Sequence, residues 1–505
     1  YAQQGLERAR IVASPILKEG ALTALGRVLY LARDYDAAEA VLREGLAIWS
    51  ELQSQYPPGS PERAAMSVMF FDSYEILQAI ALDREDIHGA LCIAEEMRGS
   101  QPLYKNGRGG TKSADSGILF DPVSVARAWK ATIVMYSLLP DFHQWILPGQ
   151  LEGFQRGLEK YLLVWVIDPS GSIAFRKVDV ASALSSGHPS TIQKSVFSSC
   201  GGDGVRLSDY IATTHIISKR RGPEMHKEQR CGLYRLLIEP IADLMPTDPD
   251  HTVVFIPYGP LHEIPFAALE DANGRYLVQL HTIAFSPSIE ILRELTPSFQ
   301  VKQKARKSTA ERKALVIGIH HEHSKNPLPN APIEARVVAK RLGSKPVLSD
   351  HASKEIAISC LPDSEIIHIT THGFYDRHAD KSGLLLANGE KLTADEIENM
   401  DLIADLVFLN ACRTAAGRIT AEGMFGLARA FLKAGAKSAL VSIWNVQDFG
   451  KGEEAPAPLF SDAYYSAFAA SRNKARAVRS AMLAVAERYP DPRIWAGFTL
   501  LGAPE

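Results

Sequence analysis

From Ala314 onward the chain alternates short, continuous apolar runs with helical stretches, and no other property narrows its fold as far. ALVIGI (314–319), PVL (346–348), EIIHITT (365–371), ADLVFLN (404–410), SALVSIW (438–444) and a final IWAGFTLLG all read as strands. Helical segments open at Pro332 and Ser353, run over about 420–434 and cover 458–488. Strands apolar on both faces and joined by helices make a parallel sheet covered on both sides. In such a sheet the functional groups lie beyond the carboxyl ends of the strands. Two of the runs lead into reactive side chains there, His372 after EIIHITT and Cys412 after ADLVFLNA.

The rest of the chain has other textures. Residues 1–100 are rich in Ala, Leu and Glu at helical spacing. Leu25-Gly26 and Ala38 fall where two crossing helices need small residues, with Leu42 packing one turn on, so the unit resembles a tetratricopeptide repeat. A weaker second copy ends in EDIHGALCIAEEMRG, where Gly89-Ala90 would let helices approach; a plain antiparallel helix pair fits as well. Residues 101–150 read as a polar, Gly-rich linker followed by an apolar helix covering the next domain. Residues 151–300 form an α/β block with a hairpin at Asp168-Pro169-Ser170-Gly171 and a buried strand, HTVVFIP, that breaks at Pro257. The polar run QVKQKARKSTAERK separates it from the last domain, 310–505.

Composition excludes several classes of function. A net charge of −3 offers no broad polyanion-binding surface, so direct nucleic-acid binding is not expected. The longest apolar runs, such as LLVWVI, fall far short of the roughly 20 residues a bilayer span needs, so no membrane is expected either. Five scattered cysteines without CxxC spacing read as reduced thiols in a cytoplasmic protein. The chain opens on Tyr1 in helical register, which leaves room for a preceding segment. No P-loop or GxGxxG string follows a strand, and no cofactor is expected. His320, His321 and His323 are dense enough to invite a transition metal, but adjacent residues rarely point at one ion, and no metal is assigned.

A Cys nucleophile needs a nearby base and an oxyanion site, and two parallel strands ending side by side would supply both. A Cys after an apolar strand is also a common buried thiol, and a lone His beside one a common core side chain. Here Gly373 leaves the backbone open beside His372, and Ala411 with Thr414-Ala415-Ala416-Gly417 leaves the thiol uncrowded. THGFYD around His372, SGLLLANGEKLTADEI, LNACRTAAG around Cys412, EGMFGLARAFLKAGAKSALVSIWNVQD and WAGFTLLGAP follow one another in order. Together with the earlier IPYGPLHEIPFAAL they resemble the CHAT domain, a family grouped with caspase- and separase-like cysteine peptidases, from about residue 150 onward.

That resemblance implies an inactive α/β half over 151–300, a catalytic caspase-like half over 310–505, and a helical region of tetratricopeptide type before them. It implies that Cys412 attacks the scissile carbonyl, that His372 is its acid–base partner, and that the backbone N–H groups of Gly373 and Cys412 hold the oxyanion. Asp376 either steadies the His372 loop or caps a turn. Asp448, walled by Trp444, stands where separase-like members select a basic residue before the scissile bond; it fits a helix cap equally well. Glu453 and Glu454 are placed to add negative charge. The substrate is a protein or peptide, and a regulatory protein partner is expected at the N-terminal helices, keeping the site closed until it binds. The reading from another class is a non-catalytic adaptor.

Overall fold

The computed structural model describes residues 4, 7, 14–55, 71–99, 121–142, 159–185, 207, 210–211, 223–296, 313–374, 382–411, 426–443, 450 and 452–505. Among these the strands, in chain order, are β1 (Thr132–Pro140), β2 (Glu159–Ile167), β3 (Ile173–Asp179), β4 (Thr252–Ile256), β5 (Thr282–Phe285), β6 (Ala314–Gly318) and β7 (Pro346–Leu348). They continue with β8 (Ile366–Thr371), β9 (Gly373–Phe374), β10 (Gly383–Leu385), β11 (Lys391–Thr393), β12 (Leu406–Ala411), β13 (Ser438–Ser442) and β14 (Phe498–Gly502). Eleven of them hydrogen-bond into one α/β sheet, in the order β3-β2-β1-β4-β5-β14-β13-β12-β8-β6-β7, while β9, β10 and β11 form a small separate sheet.

The large sheet has two halves, one built from strands before residue 300 and one from strands after residue 310. β1, β4 and β5 run parallel, and so do β13, β12, β8, β6 and β7. β14 is parallel to β5 and antiparallel to β13, so the two parallel sets point in opposite directions. The carboxyl ends of β4 and β5 therefore lie at one edge of the sheet, and those of β8 and β12 at the other. Residues 132–140, expected within a covering helix, instead form β1 in the middle of the first half, preceded by the short helix Pro122–Trp129. Their side chains are buried along nearly the whole strand, and its two edges pair with β2 and β4. The 101–120 part of that expectation lies outside the described residues. The hairpin at Asp168 is present, with Ser172 O accepting from Asp168 N at 2.9 Å between β2 and β3.

Four N-terminal helices, α1 (Pro15–Leu31), α2 (Tyr35–Ser54), α3 (Phe71–Asp83) and α4 (Ile87–Gly99), make the helical region among the described residues. A Cβ at Gly26 would meet the Leu42 side chain at 2.5 Å, which is the close helix crossing the sequence implies. Gly89 serves differently: its N–H is capped by Asp86 Oδ1 at 2.7 Å, and the fully buried Ala90 supplies the close packing. α3 and α4 then dock at the carboxyl ends of β4 and β5. Glu75 accepts from Tyr258 Oη at 3.0 Å just after β4. Glu95 accepts from Ile289 N (3.2 Å) and Glu290 N (2.8 Å), the first amides of α5 (Ile289–Leu295). Arg98 donates to the carbonyl oxygens of Ala94 and Tyr136 and lies 5.2 Å from the Tyr258 ring. Burial and the neighbouring Arg98 push His262 down to about 3, so its imidazole sits in this plug uncharged.

In the second half, α6 (Ala331–Leu342) and α8 (Pro456–Ser471) cover one face of the sheet and α7 (Gly426–Ala434) lies in the core of the other. α6 packs so closely on β6 that a Cβ at Gly318 would stand 2.4 Å from Ala331 O. The helical stretch 458–488 is two helices, α8 and α9 (Lys474–Arg488), broken where Arg472 turns left-handed (φ 57°) and Asn473 caps Arg476 N at 2.8 Å. Between α6, α8 and the sheet lies a polar core around Glu334, which is fully buried. Its carboxylate accepts from Asn410 Nδ2 (3.1 and 2.9 Å) on β12 and from the Ser461 hydroxyl on α8, and stands 3.3 Å from His368 Nε2 on β8. His368 Nδ1 faces Tyr465 Oη at 3.2 Å. One carboxylate thus ties β8 and β12 to both covering helices.

Two substitutions test these buried carboxylates in the full chain. Glu95→Ala leaves two helix-start amides without an acceptor and Arg98 without its nearest counter-charge, and we expect chemical denaturation to show a loss of about 3 kcal/mol. A loss below about 0.5 kcal/mol would mean that the helical region docks without it. Glu334→Ala strips Asn410, Ser461 and His368 of a shared acceptor, and its expected cost is again about 3 kcal/mol or more. An unchanged denaturation midpoint would show that water takes the carboxylate's place.

Candidate functional site

β8 and β12 are neighbours in parallel register, with Thr371 opposite Ala411 at their carboxyl ends. His372 follows Thr371 directly and is half-buried. Gly373 opens β9, which pairs antiparallel with β10 through Leu384↔Gly373 and Gly383↔Phe374. Leu385 N donates to His372 O at 2.8 Å, so the His372–Leu385 pair is a hydrogen-bonded one and the next pair, Gly373–Leu384, is not. The N–H of Gly373 consequently points away from β10. A Cβ at Gly383 would meet Leu392 O at 2.1 Å, so β10 and β11 close tightly behind this turn.

The imidazole is fixed by the loop between β6 and α6. Ile319 N continues the β6–β8 ladder by donating to Thr370 O at 3.0 Å, and Leu328 N closes the loop on His320 O at 2.7 Å. Asn326, on that loop, turns its main-chain oxygen to His372 Nε2 at 2.7 Å. A carbonyl only accepts, so Nε2 carries the hydrogen and Nδ1 of the neutral ring keeps its lone pair. A ring held this way takes a proton at Nδ1 and spreads the resulting charge onto a hydrogen bond already made. His321, from the start of the same loop, lies with its ring centroid 4.9 Å from that of His372 at an interplanar angle of 30°. Its Nε2 meets Thr371 Oγ1 at 2.7 Å, and the Thr371 hydroxyl donates onward to Leu385 O. Burial, and secondly the neighbouring His372, pull His321 down to about 4.

Of the residues singled out in the sequence, His372 and Gly373 are thus side by side at the end of β8. Cys412, Asp376, Trp444 and Asp448 lie outside the described residues. Glu454 pairs with Arg488, and its main-chain carbonyl accepts from Tyr489 Oη at 3.1 Å. Among the described residues no group of three or more His, Cys, Asp or Glu is arranged to hold a metal ion. Within the His320–His323 cluster, His321 is engaged by Thr371 and His372. Asn326 and Thr371 escape a reading of the sequence, which notes His321 only as one of a histidine cluster and not as a neighbour of His372. The only hint is the turn-forming Asn326-Pro327 pair, which does not say where the carbonyl points. No helix among the described residues is long and apolar enough to cross a membrane.

The sequence also aligns with known proteins. It is 28% identical over 337 residues to tetratricopeptide repeat protein 28 of Mus musculus, covering 56% of this chain and 14% of that protein. The Homo sapiens protein of the same name is 28% identical over 337 residues, covering 56% of this chain and 13% of its own. The chain therefore spans about one seventh of the length of these relatives. Two crystal structures of the Saccharomyces cerevisiae separase–securin complex superpose on 93% of this chain and 37% of theirs, with TM-scores of 0.45 and 0.44 at 13% identity. The model of the CHAT domain matches residues 230–503, a span that takes in β4 to β14 and leaves β1 to β3 outside it. With more than half of its length in that match, the chain belongs to the CHAT-domain family.

Proposed function

We propose that this protein is a cysteine endopeptidase that hydrolyses peptide bonds through His372 and Cys412, preferring a basic residue before the scissile bond. The observation that carries the reading is the fixed tautomer of His372: Nε2 is bound by Asn326 O at 2.7 Å, which reserves Nδ1 for a thiol. The position of that ring supports it as well. It stands at the end of a strand whose last residue pairs with Ala411, and Cys412 is the next residue in the sequence.

In the proposed reaction Nδ1 takes the Cys412 thiol proton and the thiolate attacks the scissile carbonyl carbon. The resulting imidazolium then protonates the leaving amine, giving an acyl-enzyme. Water, deprotonated by the same imidazole, releases the acid and regenerates the thiol. The N–H of Gly373, directed away from β10, and that of Cys412 would hold the developing oxyanion. Asp448 beside Trp444 would receive the basic side chain, where bidentate pairing favours Arg over Lys.

Regulation by a protein partner at the N-terminal helices belongs to the same proposal. α3 and α4 sit at the sheet edge opposite His372, so the signal would pass through the shared sheet rather than by these helices lying across the site. Truncation of the helices is a poor test, since it removes Glu75, Glu95 and Arg98 from the core.

The test is a panel of peptides carrying Arg, Lys, Leu or Asp before the cleavable bond, given to the full chain, to Cys412→Ala and to His372→Ala. We expect cleavage after Arg and Lys that falls by at least about a thousandfold in either variant. Cleavage after Leu or Asp instead would remove the basic preference. Absence of any Cys412-dependent cleavage, with partner proteins supplied from the source cell extract, would favour the adaptor reading.

A further inference from the structure

The histidine cluster at 320–323 has no part in the proposed dyad, yet His321 touches it. Its backbone is left-handed, with φ 50°, a conformation that few residues other than glycine take and that His tolerates better than most. This turn brings the His321 imidazole over the face of His372, with centroids 4.9 Å apart and planes 30° from parallel. The ring is also held at its edge. The Thr371 hydroxyl has one hydrogen and gives it to Leu385 O, so at the 2.7 Å contact Nε2 of His321 must be the donor. The loop that carries His321 also carries Asn326, and it is closed by Leu328 N on His320 O (2.7 Å) and Ser324 N on His321 O (2.9 Å). The face and the Nε2 partner of His372 are therefore set by one segment, whose own imidazole is anchored on Thr371.

We infer that His321 is a positioning residue for His372: its Thr371-bound imidazole backs the His372 ring and keeps it in the plane where Nε2 meets Asn326 O, so that Nδ1 stays aimed for proton exchange. The inference rests on the peptidase reading of His372 and Cys412. Charge supports the same role. His321, drawn down to about 4 by burial and by His372, stays neutral when His372 takes its proton, and a neutral π face beneath an imidazolium attracts where a second cation would repel.

Two variants of the full chain test this, His321→Ala, which removes ring and hydrogen bond, and His321→Phe, which keeps a ring but cannot reach Thr371. Two rates are read: cleavage of the best peptide, and alkylation of Cys412 by iodoacetamide near pH 6.5, followed at that cysteine by peptide mass spectrometry. Alkylation reports thiolate, which an aligned imidazolium stabilises, and it does not require turnover. For His321→Ala we expect kcat to fall roughly ten- to a hundredfold with KM within about twofold, and alkylation to slow by about tenfold. His321→Phe should recover most of both. His321→Asn, at ease with a left-handed backbone, replaces the Ala variant if that one does not fold. Unchanged rates in His321→Ala, or a Phe variant as impaired as Ala, would overturn the positioning role. If the wild type cleaves no peptide yet Cys412 alkylation still depends on His321, the peptidase reading falls and the positioning role stands. If the wild type and His321→Ala cleave alike, the reverse holds.

Discussion

A main-chain oxygen decides what His372 is able to do. A free imidazole exchanges its hydrogen between two nitrogens and turns about two side-chain torsions, whereas Asn326 O fixes both the tautomer and the orientation. For that contact to exist, the loop after β6 must hold a constant height above the end of β8. The ladder from β6 to β8, prolonged by Ile319 N to Thr370 O, sets that height. The chemistry of the site is thus a property of backbone pairing before it is a property of side chains.

Beneath that backbone lies a polar core of unusual composition. A fully buried carboxylate, Glu334, binds groups from β12 and α8 and faces an imidazole on β8, at the level where an α/β protein ordinarily places aliphatic residues. Apolar packing tolerates small slides between helix and strand, but directional hydrogen bonds do not. Placing such a cluster two residues before Cys412 and four before His372 fixes the relative height of the two strand ends. The opposite face of the same strands is packed conventionally, with Ile367, Ile369, Val407, Leu409 and Phe431 in one aliphatic–aromatic core.

Much of this was legible in the chain itself. Every strand of the second half's large sheet stands out as a continuous apolar run, and Ser353 starts its helix as a side-chain oxygen should, whereas the cap Asn473 inside 458–488 went unread. His372 and Gly373 fall where parallel-sheet topology puts functional residues. β1 was hidden because TIVMYSLL is apolar but for Thr132 and Ser137 and shows no alternation, a pattern that a buried helix and a central strand share until their neighbours are known. β9 to β11 are two or three residues long, too short to show any period. Glu334 sits in PIEARVVAKRL, where one charge among several reads as a solvated helix face, and its partners lie 76 and 127 residues away. Asn326 contributes an atom that every residue possesses, so no letter of the sequence could mark it.

The joint between the halves has a consequence for biogenesis. β14 is the last of the eleven strands in chain order, yet it occupies the middle of the sheet, between β5 and β13. Until that strand is added, any sheet formed by the strands from β1 to β5 or from β6 to β13 has an unpaired inner edge, at β5 and at β13. Exposed edges of this kind invite pairing with other chains. Insertion of this one late strand closes both inner edges at once and makes the centre of the sheet the last part of it that the sequence supplies.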